Sequence, residues 1–162
     1  MQQDGAIGLR AGLTRVSVTK IDFYTGTPDK LRTVCQLSQK AMRNGVRTVI
    51  STPDDATGNA LDKLLWHYPA TAFIPHCRSD AADAQQMPVV IAHGSNQFPH
   101  FELLITLHPE CVPFFSRFER VIEIVGSDEE DRRLGRERFK FYRDRGYELH
   151  HIDLTQLGFT ET

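Results

Sequence analysis

Residues 121–154, VIEIVGSDEEDRRLGRERFKFYRDRGYELHHIDL, predict a buried strand, a long helix and a second strand in succession. The run 121–125 is almost entirely apolar and β-branched, which is typical of a strand that is covered on both faces. Strands of this kind that alternate with helices form parallel sheets with helices packed on each side. The stretch therefore indicates an α/β fold.

The helix of this stretch has sequence signals at both ends. Ser127 and Glu130 have the spacing of a capping box, in which each side chain accepts a hydrogen bond from a free backbone N–H. Further carboxylates crowd the first turn, where the helix dipole is positive, and Gly146 supplies a left-handed stop. The spacing predicts a helix of about five turns.

The side chains of this helix are segregated by charge. On a helical wheel, Leu134, Phe141 and the bordering Tyr142 fall on one side, which we expect to face the core. The opposite arc, predicted to point away from the core, carries four cations and an aromatic ring on its edge: Arg132, Arg136, Lys140, Arg143 and Phe139. Such a surface suits an anionic partner that also carries an apolar group. The alternative is a solvated face whose arginines pair with carboxylates along the helix.

The rest of the chain continues the alternation of strand and helix. Strands are predicted at 16–24, 46–51, 88–92, 102–107, 121–125 and 147–154. Two further helices are predicted to begin at Thr27-Pro28 and at Thr52-Pro53, because a capping residue followed by proline is typical of a helix start. The first ends at Asn44-Gly45 and the second near His67. A short helical turn is expected at 113–118 and a solvent loop at 78–88.

These elements predict one α/β domain over residues 16–155, with a mostly parallel open sheet and helices on both faces, which is a Rossmann-like arrangement. Residues 1–15 are predicted to be a disordered N-terminal extension and residues 156–162 a flexible tail. The 162-residue length fits a single domain.

Trp66 lies almost opposite the apolar stripe of the second predicted helix. Either the following chain, residues 68–77, covers the indole, or the indole is an exposed anchor for another protein. Tryptophan is enriched among the residues that dominate protein interfaces, although cover within the same chain is more common.

The sequence lacks signals for catalysis, metal binding or a phosphate loop. No Walker A or GxGxxG follows the predicted strands, and His76-Cys77 and His108–Cys111 match no standard zinc spacing. Neither a cofactor nor a metal is predicted. The net charge of -2 argues against a general nucleic-acid binder. No apolar run approaches about 20 residues and no signal-peptide pattern is present, so we expect a cytoplasmic protein that does not contact a membrane.

Several segments, in this order and spacing, resemble the chi subunit family of bacterial DNA polymerase III. They are IDFYTGTPDKL, PDDATGNALDKLLW, FIPHCR, FFSRFERVIEIV and GRERFKFYRDRGYEL. The resemblance implies a Rossmann-like fold without a phosphate loop and a non-enzymatic role as a clamp-loader accessory subunit in DNA replication. It also implies two protein partners, the acidic C-terminal tail of single-stranded DNA-binding protein, which ends in Pro-Phe, and the psi subunit of the clamp loader.

The resemblance assigns residues to both partners. The tail site falls on Val125, Arg132, Arg136, Phe139 and Lys140, with arginine at 132 where other members have lysine and phenylalanine at 139 where they have tyrosine. The psi-facing site falls on Trp66 and Phe73, a surface that could instead meet another partner such as a repair helicase. The expected state is a monomer or a heterodimer with psi, with DNA contacted only indirectly. The alternatives are direct nucleic-acid binding through the long helix and a degenerate nucleotide-binding α/β protein.

Overall fold

A computed structural model describes residues 18–67, 74–94 and 97–156, and within these ranges seven parallel strands form one open sheet. The strands are β1 (Lys20–Thr27), β2 (Thr48–Ser51), β3 (His76–Arg78), β4 (Val89–Ala92), β5 (Leu103–Thr106), β6 (Arg120–Gly126) and β7 (Glu148–Asp153). Their order across the sheet is β3-β4-β2-β5-β6-β1-β7, so β3 and β7 are the two edges.

In the part of the chain that the structure describes, three α-helices cover the two faces of this sheet. Helices α1 (Lys30–Arg43) and α2 (Asp55–His67) pack on one face, where they share a core with alternate strand residues such as Ile50. Helix α3 (Glu129–Asp144) and the segment 98–118 pack on the other face. The predicted α/β class, with a parallel sheet and helices on both faces, is confirmed.

Aspartates, rather than the predicted Thr-Pro pairs, cap the first two helices. Thr27 is still part of β1 and buried, and the Asp29 side chain accepts a hydrogen bond from the Arg32 N–H at 3.2 Å. Before α2, the Asp54 carboxylate accepts from the Thr57 N–H at 2.7 Å. Each helix therefore begins later than predicted, because a carboxylate is available next to the proline to satisfy the free backbone N–H groups.

Helix α3 begins one residue later than the predicted capping box. Asp128, and not Ser127, is the N-cap, and its carboxylate accepts from the Asp131 N–H at 2.9 Å. The Asp131 carboxylate reaches back to the Gly126 N–H at 2.6 Å and pairs with Lys30 of α1 at 3.2 Å. This ion pair between α1 and α3 favours Asp128 as the N-cap over the capping box that was predicted for Ser127 and Glu130.

Other strand and loop boundaries also differ from the predictions by a few residues. Strand β1 ends at Thr27 instead of residue 24, and the predicted loop 78–88 begins inside the short edge strand β3 and contains a 3-10 turn, Ala84–Gln86. The predicted turn at 113–118 is a 3-10 turn, Phe115–Arg117. The predictions for residues 1–15 and for all but the first residue of 156–162 lie outside the described residues, as do 16 and 17 of the first strand. No helix in the described ranges is long and apolar enough to span a membrane.

Candidate peptide-binding site

The face of α3 that meets the sheet differs from the wheel prediction. Gly135, Arg138 and Tyr142 are buried against the sheet, whereas Leu134 and Phe141 are only half-buried. The reason is the close approach that glycine permits, since a Cβ on Gly135 would lie 2.8 Å from a methyl carbon of Val125 on β6. The helix therefore comes closest to the sheet at Gly135.

Beneath α3, a buried polar cluster joins the helix to β6. Arg138 Nε donates to Glu123 Oε1 at 2.8 Å, and Tyr142 Oη donates to Glu123 Oε2 at 2.5 Å. The Arg138 guanidinium also donates to the backbone oxygens of Pro109 and Ile124, at 2.9 and 3.3 Å. Burial raises the pKa of the Glu123 carboxyl, which Arg138 and Tyr142 oppose. This cluster was not predicted from the sequence, although the single carboxylate inside the apolar run 121–125 was a signal for it.

A cavity of about 530 Å³ opens where α3 passes over the carboxyl ends of β1, β6 and β7, and we call it the α3 cavity. Its apolar part is formed by Phe23, Val125 and Phe139. The rings of Phe23 and Phe139 meet edge to face with centroids 5.2 Å apart. Phe139 therefore packs against the core edge, which corrects the expectation that its ring lies on a face turned away from the core.

Two of the predicted cations line the α3 cavity. The side chains of Arg132 and Arg136 are 57% and 62% exposed, and both approach Glu129, at 3.7 and 3.5 Å. Such exposed ion pairs contribute little to stability, so both guanidinium groups can leave Glu129 and pair with an anionic ligand. Lys140 is exposed one residue beyond Phe139 but does not line the cavity, and neither does Arg143.

The wall opposite α3 comes from β1, β7 and the residues that follow β7. His151 Nε2 lies 2.7 Å from Thr25 Oγ1. The Asp153 carboxylate accepts from the backbone N–H and the hydroxyl of Thr155, at 3.0 and 2.6 Å, and these bonds hold the pKa of Asp153 below its usual range. This wall was not predicted from the sequence. Only the period of two along the last strand, which places 151 and 153 on one face, could have indicated it.

Trp66 lies far from this cavity, on the face covered by α2. It is 53% exposed, and its ring is tilted against the buried ring of His76 with centroids 4.8 Å apart. The His76 ring is held by Ile74 O at 2.7 Å and Asp62 Oδ1 at 3.1 Å. The indole is thus partly supported by β3 and still presents about half its surface to solvent. Phe73, the other residue of the predicted psi-facing site, lies outside the described residues.

At the carboxyl edge of the sheet, few backbone N–H groups at the described helix starts are free to bind a nucleotide phosphate. Aspartates accept hydrogen bonds from first-turn N–H groups at all three described helices: Asp29, Asp54 and Asp128. These are the donors that bind phosphate in nucleotide-binding relatives of the fold. Among the described residues, no group of three or more His, Cys, Asp or Glu side chains could hold a metal ion.

Comparison with known proteins identifies the family. Residues 18–150 match the model of the family described as DNA polymerase III chi subunit, HolC. The chain belongs to the chi subunit family of DNA polymerase III. It is 36% identical over 136 residues to the DNA polymerase III subunit chi of Pseudomonas aeruginosa, covering 82% of this chain and 94% of that one. It is 31% identical over 117 residues to the Escherichia coli subunit chi, covering 72% and 80%. Membership of the chi family implies a role in DNA replication.

The fold has a solved counterpart outside the chi family. The C-terminal domain of the DEAD-box protein Dbp5 superposes with a TM-score of 0.60 at 12% identity, over 89% of this chain and 95% of that one. At this identity the similarity concerns the fold alone, and it supports the Rossmann-like description of the sheet.

Proposed function

We propose that this chi family member is a non-catalytic adaptor of the DNA polymerase III holoenzyme in the cytoplasm. One surface binds the acidic C-terminal tail of single-stranded DNA-binding protein, and a second surface links it to the clamp loader through the psi subunit. The tail-binding residues are Val125, Arg132, Arg136, Phe139 and Lys140. The psi-facing residues are Trp66 and Phe73.

The observation that carries the tail site is the composition of the α3 cavity. Four of the five proposed residues line it, and they supply both of the chemistries that such a tail requires: Val125, Arg132, Arg136 and Phe139. The terminal phenylalanine ring would occupy the apolar part beside Phe23 and Phe139. The terminal carboxylate would meet Arg136, and the aspartates that precede it would meet Arg132 and Lys140. Guanidinium groups suit this role because their planar donors can bind a carboxylate at two points.

A site of this size is expected to bind with roughly micromolar affinity, about −8 kcal/mol. Its charged contacts are exposed, so affinity should fall with ionic strength as screening shortens to about 8 Å near physiological salt. An oligomeric single-stranded DNA-binding protein presents several tails at once, which raises the effective affinity without new contacts.

The two proposed surfaces lie at opposite ends of the sheet. Trp66 stacks on His76 of edge strand β3, whereas His151 of the α3 cavity lies on edge strand β7. Six strand spacings of about 4.8 Å separate the two edges, roughly 29 Å. The helices concerned, α2 and α3, also cover opposite faces. A protein with this arrangement can hold two partners without steric conflict, as an adaptor must.

The test is a calorimetric titration with a synthetic acidic peptide that ends in Pro-Phe with a free carboxylate. Arg136→Ala should weaken binding tenfold or more, roughly, because the peptide carboxylate loses its partner. Arg143→Ala is the control, since Arg143 lies on the same helix with 60% of its side chain exposed but does not line the cavity. Both variants should unfold like the wild type, because exposed substitutions usually change stability by less than about 0.5 kcal/mol.

Unchanged peptide affinity in Arg136→Ala would refute the site. Two further measurements address the alternatives. A bare single-stranded oligonucleotide that competes with the peptide at similar affinity would favour direct nucleic-acid binding through α3. A rise in melting temperature with nucleotides would favour a nucleotide site, which the aspartate caps at the helix starts argue against.

A further inference from the structure

We propose that His151 is an additional anion-binding residue of the α3 cavity, and that it makes peptide affinity rise as the pH falls from 8 to 6. This inference rests on the proposed function, since it concerns the same cavity and an acidic peptide with a free terminal carboxylate. The family model matches residues 18–150, so His151 lies just outside the matched residues.

The position of His151 follows from the register of the edge strand. His151 pairs with Phe23 of β1 in the parallel ladder, and successive residues of a strand alternate between the faces. His151 therefore lies on the α3 side of the sheet, as Phe23 does. Its Nε2 contacts the Thr25 hydroxyl at 2.7 Å, which orients the ring, while the residue stays exposed at the cavity. Among the described residues, no hydrogen bond involves its Nδ1 atom, which is therefore available to a ligand.

The charged groups around the cavity determine the sign of the effect. Arg132 and Arg136 face His151 from α3 and are cationic throughout the pH range considered, with Glu129 beside them. Asp153 faces it from its own strand, and the hydrogen bonds from Thr155 hold the pKa of Asp153 below its usual range. Asp153 thus stays ionised between pH 6 and 8.

Histidine is the side-chain type that ordinarily gains a proton between pH 8 and 6. Protonation places a cation on the wall opposite the two arginines. A carboxylate held between the walls then faces a cation beside Asp153 on the wall opposite the arginines, whereas at pH 8 Asp153 is the charged group on that wall.

The neighbouring residue is a matched control. His150 pairs with Asp22 and points to the opposite face of the sheet, where its ring approaches Asp22 at 3.3 Å and Glu148 at 3.1 Å. It does not line the α3 cavity. Replacing either histidine with glutamine removes one imidazole ring from the same strand.

The experiment titrates the acidic Pro-Phe peptide into the wild type, His151→Gln and His150→Gln, at pH 8 and pH 6 and constant ionic strength. The wild type and His150→Gln should bind about two- to fivefold tighter at pH 6, the range of an exposed ion pair, and His151→Gln should show no gain. A peptide with an amidated terminus should lose the gain if the terminal carboxylate is the group that meets His151, and should keep it if a peptide aspartate does, both in agreement with the proposal.

The proposal is overturned if the wild type shows no gain at pH 6, or if His151→Gln keeps all of it. These results leave the proposed function standing as long as the peptide binds at pH 8 and Arg136→Ala weakens it. If the wild type fails to bind the peptide at either pH, both the proposed function and this inference are wrong. Unfolding curves of the three proteins at each pH confirm that all are folded.

Discussion

Arg138 Nε on α3 lies 2.8 Å from Glu123 Oε1 on β6, and both side chains are almost completely buried, 4% and 0% exposed. Tyr142, one turn further along the helix, donates to the other oxygen of the same carboxylate. The helix is thus held to the strand through three side chains in one hydrogen-bonded cluster. Because Phe139 follows Arg138 directly, this cluster also sets the position of the ring that forms one side of the α3 cavity.

Replacing Arg138 with methionine should lower the free energy of unfolding by about 3–5 kcal/mol, since it leaves the Glu123 carboxylate buried without its cation. Arg138→Met combined with Glu123→Gln should be more stable than the single variant, because the uncharged amide costs less to bury. Denaturant unfolding of the four proteins in the cycle measures this coupling. A loss below about 1 kcal/mol in Arg138→Met, or no recovery in the double variant, would contradict the prediction.

Glu129 limits the positive charge of the α3 cavity, since it approaches both Arg132 and Arg136. We expect Glu129→Gln to tighten binding of the acidic peptide about two- to fivefold by removing a competing carboxylate. Glu137→Gln changes the net charge equally, but Glu137 pairs with Arg133, outside the cavity. Calorimetric titration of both variants separates a local effect from a general one, and equal gains in the two would show that only net charge matters.

Much of the fold could be predicted because its determinants are local. Buried parallel strands appear as apolar runs, and the Asn44-Gly45 stop of α1 was confirmed, with Gly45 at φ 73°. Strand β3 was missed since three residues at a sheet edge are too short to produce a period. The starts of α1 and α3 were displaced because nearby aspartates compete as caps, and the choice among them depends on contacts such as Lys30–Asp131, 101 positions apart.

The candidate site could be predicted on one wall only. The helical wheel placed Arg132, Arg136 and Phe139 close to one another, because all three residues lie on the same helix. It placed the core side on Leu134 and Phe141, because a buried arginine is not expected and a glycine adds no side chain to an apolar stripe. The opposite wall depends on the pairing of β1 with β7, which joins Thr25 to a histidine 126 positions away. No pattern within a helix or strand contains that information.

His100 should make stability depend on pH. It is 3% exposed, and burial, with a smaller contribution from nearby Arg47, lowers its pKa. In the unfolded chain His100 binds a proton near the ordinary histidine pKa of about 6.5, whereas in the folded chain it binds the proton only at a lower pH. The free energy of unfolding should therefore decrease as the pH falls below about 6.5. His108 is shifted in the same direction by burial and by His93, and it adds to the effect.

Chemical denaturation of the wild type and His100→Gln at intervals between pH 5 and 8 measures this dependence. The variant should be less stable at pH 8, where it replaces a packed ring, but its stability should fall less steeply on acidification, with the remaining slope due to His108. Parallel pH profiles of the two proteins would show that His100 does not contribute.

The two proposed surfaces should bind their partners independently of each other. Trp66→Ala should weaken binding of the psi subunit tenfold or more, the usual range for an aromatic anchor, yet leave affinity for the acidic peptide unchanged. The reason is distance, because energetic coupling is usually small between sites more than about 10 Å apart without shared partners. Lys63→Ala, an exposed change on the same helix, is the control and should preserve both interactions. Titrations of the wild type and of both variants, each with psi and with the peptide, give the six affinities. Loss of peptide binding in Trp66→Ala would mean that the surfaces are coupled through the sheet, and full psi affinity would mean that the indole is not the anchor.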